Sequence, residues 1–424
     1  SNAATASLRF VYWNAGKRSV VLDLEKADGR DRLLDLVAGA DLLIETLRPG
    51  RLDAVGLGYA VLQRLNPRIV LTSITGFGQS GPHSDFAYSD LIASAMGGAL
   101  YVTGESDDPP TSLAGSHAFV MASACAAASS LVALHHAERT GRGQQIDISA
   151  QEVVAAICHI AGTGKWRDDG IVPRRMGSGL FASIPSGAFP CRDGLIYLMV
   201  NRPAHWQALA RWIHEETGEA AVLEPLFEGP SANRFAHREL VDHFVSALTK
   251  RHTVAEMFEE GQRRHLSFTP VNRIADVVDD RHLAARQFFV DVEQEPGVSI
   301  RMPGPPYRLS ATPARVAGAA PRPGQHQREV FDAWSARPQS VQTGAKPRQA
   351  LGDLRVVEFT AGMAGPWIGR FMAYHGADVI KVESLARPDV TRQYISPRAP
   401  ERGAQSRLSP WLTDWNAGKR CVAL

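Results

Sequence analysis

Ten residues near the start of this 424-residue chain return at its end: Trp13-Asn-Ala-Gly-Lys-Arg-Ser-Val-Val-Leu22 and Trp415-Asn-Ala-Gly-Lys-Arg-Cys-Val-Ala-Leu424 agree at eight positions. A match that contains a tryptophan and an unbroken Asn-Ala-Gly-Lys-Arg implies a tandem duplication with a period of about 402 residues. On this reading the chain opens partway into one repeat and closes at the same point of the next. Whatever elements belong before Trp13 then have their counterparts just before Trp415.

Between the two copies, the first 150 residues alternate short β runs with helical patterns. Ser19–Leu24 is expected as a strand, Gly29–Ala38 as an amphipathic helix, and Asp41–Thr46 as a second strand. Ala60–Leu65 is expected as a helix and Ile69–Ser73 as a strand that ends in the glycine-rich Gly76-Phe-Gly-Gln-Ser-Gly-Pro82. A helix over Ser116–Thr140, stopped by Gly141-Arg-Gly143, leads to a strand at Gln145–Ser149. Strand and helix in alternation predict parallel βαβ units, an α/β fold with a doubly wound large domain.

Beyond Pro185 the pattern shifts to turns, a strand at Leu195–Val200 and polar helices, as in a smaller α+β domain. The expected organisation is a large domain over 4–184, a small domain over 185–301 and an extended return over 302–334. A polar, proline-containing linker follows at 335–350, and 351–424 opens the second repeat. Leu354–Phe359 and Asp378–Glu383, around the helix Gly365–Tyr374, supply the opening βαβ elements that the N-terminus lacks.

Composition excludes several classes of function. A net charge of +2 with no long run of one sign gives no electrostatic basis for binding nucleic acid or an anionic membrane. Cys125, Cys158, Cys191 and Cys421 have no CxxC spacing, which argues against a structural zinc site or a disulfide framework and for a reducing, cytoplasmic setting. The most lipid-like stretch, Ala118–Leu134, is rich in Ala and Ser and reads as a buried helix too short and too weakly apolar to span a bilayer. Ser1-Asn2-Ala3 resembles a cloning scar, and no signal peptide is recognised after it.

Glu45-Thr-Leu-Arg-Pro-Gly50, Gly56-Leu-Gly-Tyr59, Ser73-Ile-Thr-Gly-Phe-Gly78, Thr103-Gly104 and Thr140-Gly-Arg-Gly-Gln144 together resemble family III CoA-transferases. Phe189-Pro-Cys-Arg-Asp-Gly194 resembles the family's small domain, and Gly376-Ala-Asp-Val-Ile-Lys-Val-Glu383 its N-terminal hallmark. The family includes formyl-CoA and carnitine CoA-transferases and 2-methylacyl-CoA racemases. The long period is similar to its tandem type, represented by the dimethylsulfoniopropionate CoA-transferase/lyase. The resemblance implies an interlocked, dimer-like assembly with a second repeat or a second copy. It also implies coenzyme A or an acyl-CoA and a small carboxylic acid as substrates, and no metal.

The family's chemistry uses one aspartate, which attacks the thioester to give a mixed anhydride that CoA thiolate reopens. Counting from Thr103-Gly104 and back from Thr140-Gly141 places Phe119 at that position. A phenyl ring can neither attack a thioester nor hold a proton. Three substitutes stand nearby, each with an ordinary alternative. His117 is a capping or surface histidine, Glu152 an acid at a helix start, and Asp90 a helix cap for Leu91 onward.

For CoA itself, the resemblance points to Arg48 with Pro49, whose guanidinium would match phosphate, and to Gly76 and Gly78, which would let backbone approach the ligand. Solvent exposure and ordinary turn formation are the competing explanations. In the second repeat Met363 and Ser384 stand at nucleotide-contacting positions where the family carries more polar groups. The expected function is CoA transfer between carboxylic acids by the tandem protein. A noncatalytic scaffolding repeat and an acyl-CoA racemase are the alternatives.

Overall fold

The computed structural model describes residues 7–159, 163–180, 183–334, 349–393 and 409–424, so nearly all of the expected linker lies outside the described residues. The chain divides into two compact units: Leu22–Arg175 with Trp334–Leu424, and Ser1–Val21 with Met176–Ala333.

In the first unit, β1 (Leu42–Glu45), β2 (Val70–Thr75) and β3 (Gln145–Ser149) form a parallel sheet in the order β1-β2-β3. Strand β2 lies in the middle, and all of its residues but Ile74 are buried, as expected of a parallel strand covered on both faces. The cover on one side is the helix His117–Thr140, whose buried residues are Ala118, Ala122, Ala126, Ser130, Ala133 and Ala137. Side chains this small let the helix backbone close onto the sheet, and Ser130 Oγ meets Thr72 Oγ1 at 2.8 Å. Gly141, left-handed at φ 71°, ends the helix, its N–H returning to the Ala137 carbonyl. At 24 residues this helix is long and apolar enough to cross a membrane by length and composition, which corrects the sequence-based judgement of Ala118–Leu134. Its alanine face packs against β2, but only 28% of its most apolar window is buried and Val120 and Leu131 are exposed, so the expected buried helix is covered on one face only.

The second unit carries an antiparallel sheet of β4 (Ser186–Pro190), β5 (Leu195–Met199) and β6 (Ser267–Pro270). Its core contains Trp206, Trp212, Phe227, Phe244 and Phe268. Arg234 is fully buried there, donating to the carbonyls of Ile184 and Phe227 at 2.7 Å each and lying 4.7 Å from the Trp206 ring. A hairpin of β7 (Phe289–Glu295) and β8 (Val298–Pro303) holds the helix Leu8–Asn14 through Val11, which packs on Val292 and Met302.

Back in the first unit, β9 (Arg355–Glu358), β10 (Asp378–Glu383) and β11 (Arg420–Ala423) make a second parallel sheet in the order β11-β10-β9. Leu351, Ala377 and Val379 pack against Val132 of the long helix, and Arg139 pairs with Asp353 at 2.7 Å.

The duplicated decapeptide forms a strand only once. Ser19–Leu24 is irregular, whereas the matching Arg420–Ala423 is β11. A strand needs a neighbour to take its backbone groups, and β10 provides one only to the second copy. The first copy is satisfied by side chains instead: Ser19 N donates to His326 Nδ1 at 3.1 Å and Val21 N to Gln327 Oε1 at 2.8 Å.

Asp414, in the helix Pro410–Asn416, accepts from His159 at 2.6 Å and Arg167 at 2.8 Å. Burial pushes its carboxyl up, but those two hydrogen bonds outweigh the burial and hold it below the ordinary value. A carboxylate depressed on folding adds stability that is present above its unfolded pKa of about 3.9 and lost as the pH falls through the folded value. The helix Pro410–Asn416 should therefore loosen as the pH drops below about 4. Amide-exchange protection factors, corrected for intrinsic rates, should fall there in the native chain, and Asp414→Asn should remove that dependence.

Candidate active site

Two places in the first unit carry the residues singled out from the sequence. The first is the N-terminal turn of the helix His117–Thr140. Its N-cap, Ser116, makes no side-chain capping bond. The acceptor comes from 29 positions earlier, where Asp90 Oδ1 takes the N–H of Phe119 at 2.9 Å. Asp90 itself sits in the first turn of the helix Asp90–Met96, which Ser89 caps by accepting from Ile92 N. A carboxylate is thus held at the backbone of residue 119, where the helix dipole favours negative charge.

The Phe119 side chain is half-buried against a core cluster that includes Ala118, Ala122 and Val154, and its ring meets the Tyr88 ring edge-on with centroids 6.1 Å apart. Tyr88 also explains Gly76, because a Cβ there would come within 2.3 Å of the Tyr88 side chain. Gly78 needs its glycine for a left-handed φ of 86°, and its N–H donates to Thr75 Oγ1 at 2.9 Å. His117 is exposed. Glu152 is exposed in the first turn of the helix Ala150–Ile157, capped by Ser149. The structure therefore gathers Gly76, Tyr88, Asp90 and Phe119, and among the described residues no hydrogen bond joins the side chain of His117 or Glu152 to them. Two thiols on the neighbouring helical surface, Cys125 and Cys158, are pushed up by burial and offer no ready thiolate.

The second place is a shallow, open cleft beyond the end of β1, lined by Glu45, Arg48, Tyr59, Ser73 and Gln79 among others. Arg48 is exposed and Pro49 half-buried beside it. Glu45 Oε2 accepts from Leu47 N at 2.5 Å, and Arg51 is taken up by Glu25. Asp147 fixes the Gln79 backbone, accepting its N–H with both oxygens at 3.0 and 2.9 Å. Ser73 Oγ, in a residue 1% exposed, and Gln79 Nε2 are buried without a hydrogen-bond partner among the described residues. Buried polar groups are rarely left so. With the Arg48 guanidinium at the same cleft, they offer donors to a ligand rich in anionic or carbonyl oxygens.

Gly76 and Gly78 do not line this cleft, nor do Met363, which precedes the helix Ala364–Tyr374, or Ser384, exposed just after β10. Sequence reasoning passed over Ser73, Gln79 and Tyr88. The available signal was the polar run Thr72-Ser73, which interrupts the apolar residues Val70, Leu71 and Ile74 of a buried strand.

The model of CoA-transferase family III matches residues 1–327 and 351–424. Succinyl-CoA:(R)-benzylsuccinate CoA-transferase subunit BbsE of Thauera aromatica is 36% identical over 336 residues, covering 77% of this chain and 80% of that protein. A probable CoA-transferase of Mycobacterium tuberculosis is 30% identical over 403 residues, which cover 92% of this chain but 49% of the relative. Among solved structures, a CaiB/BaiF family protein from Brucella suis superposes with a TM-score of 0.69 at 26% identity, covering 78% of this chain and 85% of the other.

Proposed function

Because the chain belongs to CoA-transferase family III, we propose that it serves CoA transfer between carboxylic acids as the half that binds substrate without supplying the acyl-accepting carboxylate. In such a transfer an enzyme carboxylate attacks the acyl carbonyl and expels CoA thiolate, leaving a mixed anhydride. The thiolate then attacks the enzyme's own carbonyl, releases the donor acid and leaves an enzyme-CoA thioester for the acceptor acid to reopen. Phe119, at the position aligned with the nucleophile, is the observation that carries this reading. Its side chain is packed on Tyr88 and has no carboxylate to offer.

A second repeat or a second copy would supply the aspartate. The mycobacterial relative, aligned across 403 residues that are 49% of its length, supports a tandem arrangement. The BbsE relative, a subunit by name, supports a partnered one, and its name makes succinyl-CoA the donor to try first. The cleft with Arg48, Ser73 and Gln79 is the region we assign to the polar part of the CoA thioester. Two three-stranded parallel sheets within one unit support the finer expectation of a doubly wound large domain.

Asp90 favours one competing reading, a working repeat with a relocated carboxylate, since it is held at the Phe119 backbone. The two readings part in one experiment. The chain is incubated with succinyl-CoA, trapped with hydroxylamine or borohydride, and weighed intact. The native chain should carry no acyl or CoA adduct, and Phe119→Asp should gain one, because anhydride formation needs a carboxylate within about 3 to 3.5 Å of the thioester carbon. A stoichiometric adduct on the native chain, lost in Asp90→Asn, would overturn the noncatalytic reading.

A further inference from the structure

The turn at Phe119 holds two aromatic rings and one anion, and together they set which acid this place accepts. Tyr88 keeps 37% of its surface exposed and Phe119 is half-buried, with their rings edge-on at 6.1 Å. The missing Cβ of Gly76 is what admits the Tyr88 ring. Leu91 and Val120, the residues that follow Asp90 and Phe119, are each more than half exposed. A planar apolar group laid on the open ring pair gains both buried area and ring contact.

Charge narrows the choice further. Asp90 Oδ1 accepts from Phe119 N at 2.9 Å, and its carboxylate makes no other side-chain or backbone hydrogen bond and no ion pair among the described residues. A second carboxylate brought to this turn on an acyl group therefore meets a like charge that no side-chain cation neutralises. The place is also within reach of the cleft. Gly76, against Tyr88, and Gln79, in the cleft with Arg48 and Ser73, are three residues apart on one loop, so their backbones lie within about 11 Å of each other. The pantetheine arm of CoA is long enough to span that distance.

We propose that the acid served at this turn is aromatic and carries no second carboxylate, so that the preferred ligand is an arylacyl-CoA with its CoA in the Arg48 cleft and its ring on Tyr88 and Phe119. This rests on the assignment of that cleft to CoA. Tyr88 and Phe119 select for the ring, and Asp90 selects against a second acid group. Succinyl-CoA, whose free carboxylate meets Asp90, is then the weaker ligand, as suits the thioester that gives its CoA away.

The test measures binding of CoA, succinyl-CoA, benzoyl-CoA and cyclohexanecarbonyl-CoA to the chain by isothermal titration calorimetry, at pH 8 to keep imidazoles neutral. Benzoyl-CoA should bind about tenfold tighter than CoA. Cyclohexanecarbonyl-CoA, of similar size but without a π face, should fall behind benzoyl-CoA, and succinyl-CoA should bind most weakly. Tyr88→Leu should erase the advantage of benzoyl over cyclohexanecarbonyl. Asp90→Asn keeps an oxygen for Phe119 N but removes the charge, so it should tighten succinyl-CoA by about three- to tenfold and leave benzoyl-CoA unchanged. Equal affinity for all four ligands, or for the two six-membered rings, overturns the inference and leaves the cleft assignment standing. No binding of CoA or of any thioester overturns the cleft assignment and this inference with it. Should Tyr88→Leu fail to fold, the native series and Asp90→Asn decide: an unchanged succinyl-CoA affinity in Asp90→Asn refutes the selection by charge.

Discussion

Replacing Lys381 with methionine should lower the stability of the unit that contains it by about 3 to 5 kcal/mol, the usual cost of leaving one member of a buried ion pair alone. Lys381 and Asp389 are 2% and 1% exposed, and Lys381 Nζ donates to Asp389 Oδ2 at 2.9 Å and to the Thr360 carbonyl at 2.6 Å. Burial pushes the Asp389 carboxyl up, and hydrogen bonds from Thr391, Lys381 and the Gly362 backbone outweigh it and keep the group ionised below its ordinary range. Methionine fills the space of the lysine stem but supplies no cation, so the carboxylate must stay charged in a dry site or take up a proton. Lys419 Nζ is nearby but spends its hydrogen bonds on Glu358 at 2.8 Å, the Pro366 carbonyl and Asn416. Pairing Lys381→Met with Asp389→Asn should recover part of the loss, because two contacting residues are not additive. Urea denaturation of the three variants measures this, and a loss under about 1 kcal/mol for Lys381→Met would show the pair to be solvated and weak.

Deleting Leu351–Leu424 should yield insoluble protein. The segment shares a unit with Leu22–Arg175, and its Leu351, Ala377 and Val379 are buried in a cluster with Val132 of the long helix. Removing several buried aliphatic side chains at about 1.5 to 3 kcal/mol each takes away much of a stability that is typically about 5 to 15 kcal/mol. The exposed ion pair of Arg139 with Asp353 adds little by comparison. The loss of Asp414 costs more, since it leaves the Arg167 and His159 contacts unmet at that position. A truncated chain that stays soluble and melts in one cooperative step would sink the prediction.

What the sequence revealed divides along the range of the forces involved. Leu42–Glu45, Tyr59–Leu65 and Val70–Thr75 fall where apolar runs and turn residues place them, and the helix to Thr140 stops at Gly141 as its glycine signals. Ser19–Leu24 shows the limit. Its composition suits a strand, but a strand belongs to a pair, and nothing within the decapeptide says whether a β10 will lie alongside. The site was legible in the same measure. Counting along the sequence singles out residue 119 as a candidate position, whereas the Asp90 bond to its N–H spans 29 positions and the Tyr88 contact spans 31, so only the folded chain brings them together. The unpaired Ser73 hydroxyl was hidden for a related reason. Thr72 and Thr75 look no different in sequence, yet Thr72 meets Ser130 and Thr75 meets Gly78 N, while Ser73 faces the cleft alone among the described residues.

The alanine face of the helix His117–Thr140 sets how this region can drift. Positions 118, 122, 126, 130, 133 and 137 are confined to the smallest side chains by their distance from the neighbouring backbone, while Val120 and Leu131 on the opposite side are open to solvent. In a saturation library of this helix the tolerated alphabet should therefore narrow and widen with the helical turn, near 3.6 residues. The controlling variable should be side-chain volume at the first set and nearly nothing at the second. A leucine would be rejected at 126 and accepted at 131, so hydrophobicity alone would misjudge which changes this helix can accumulate.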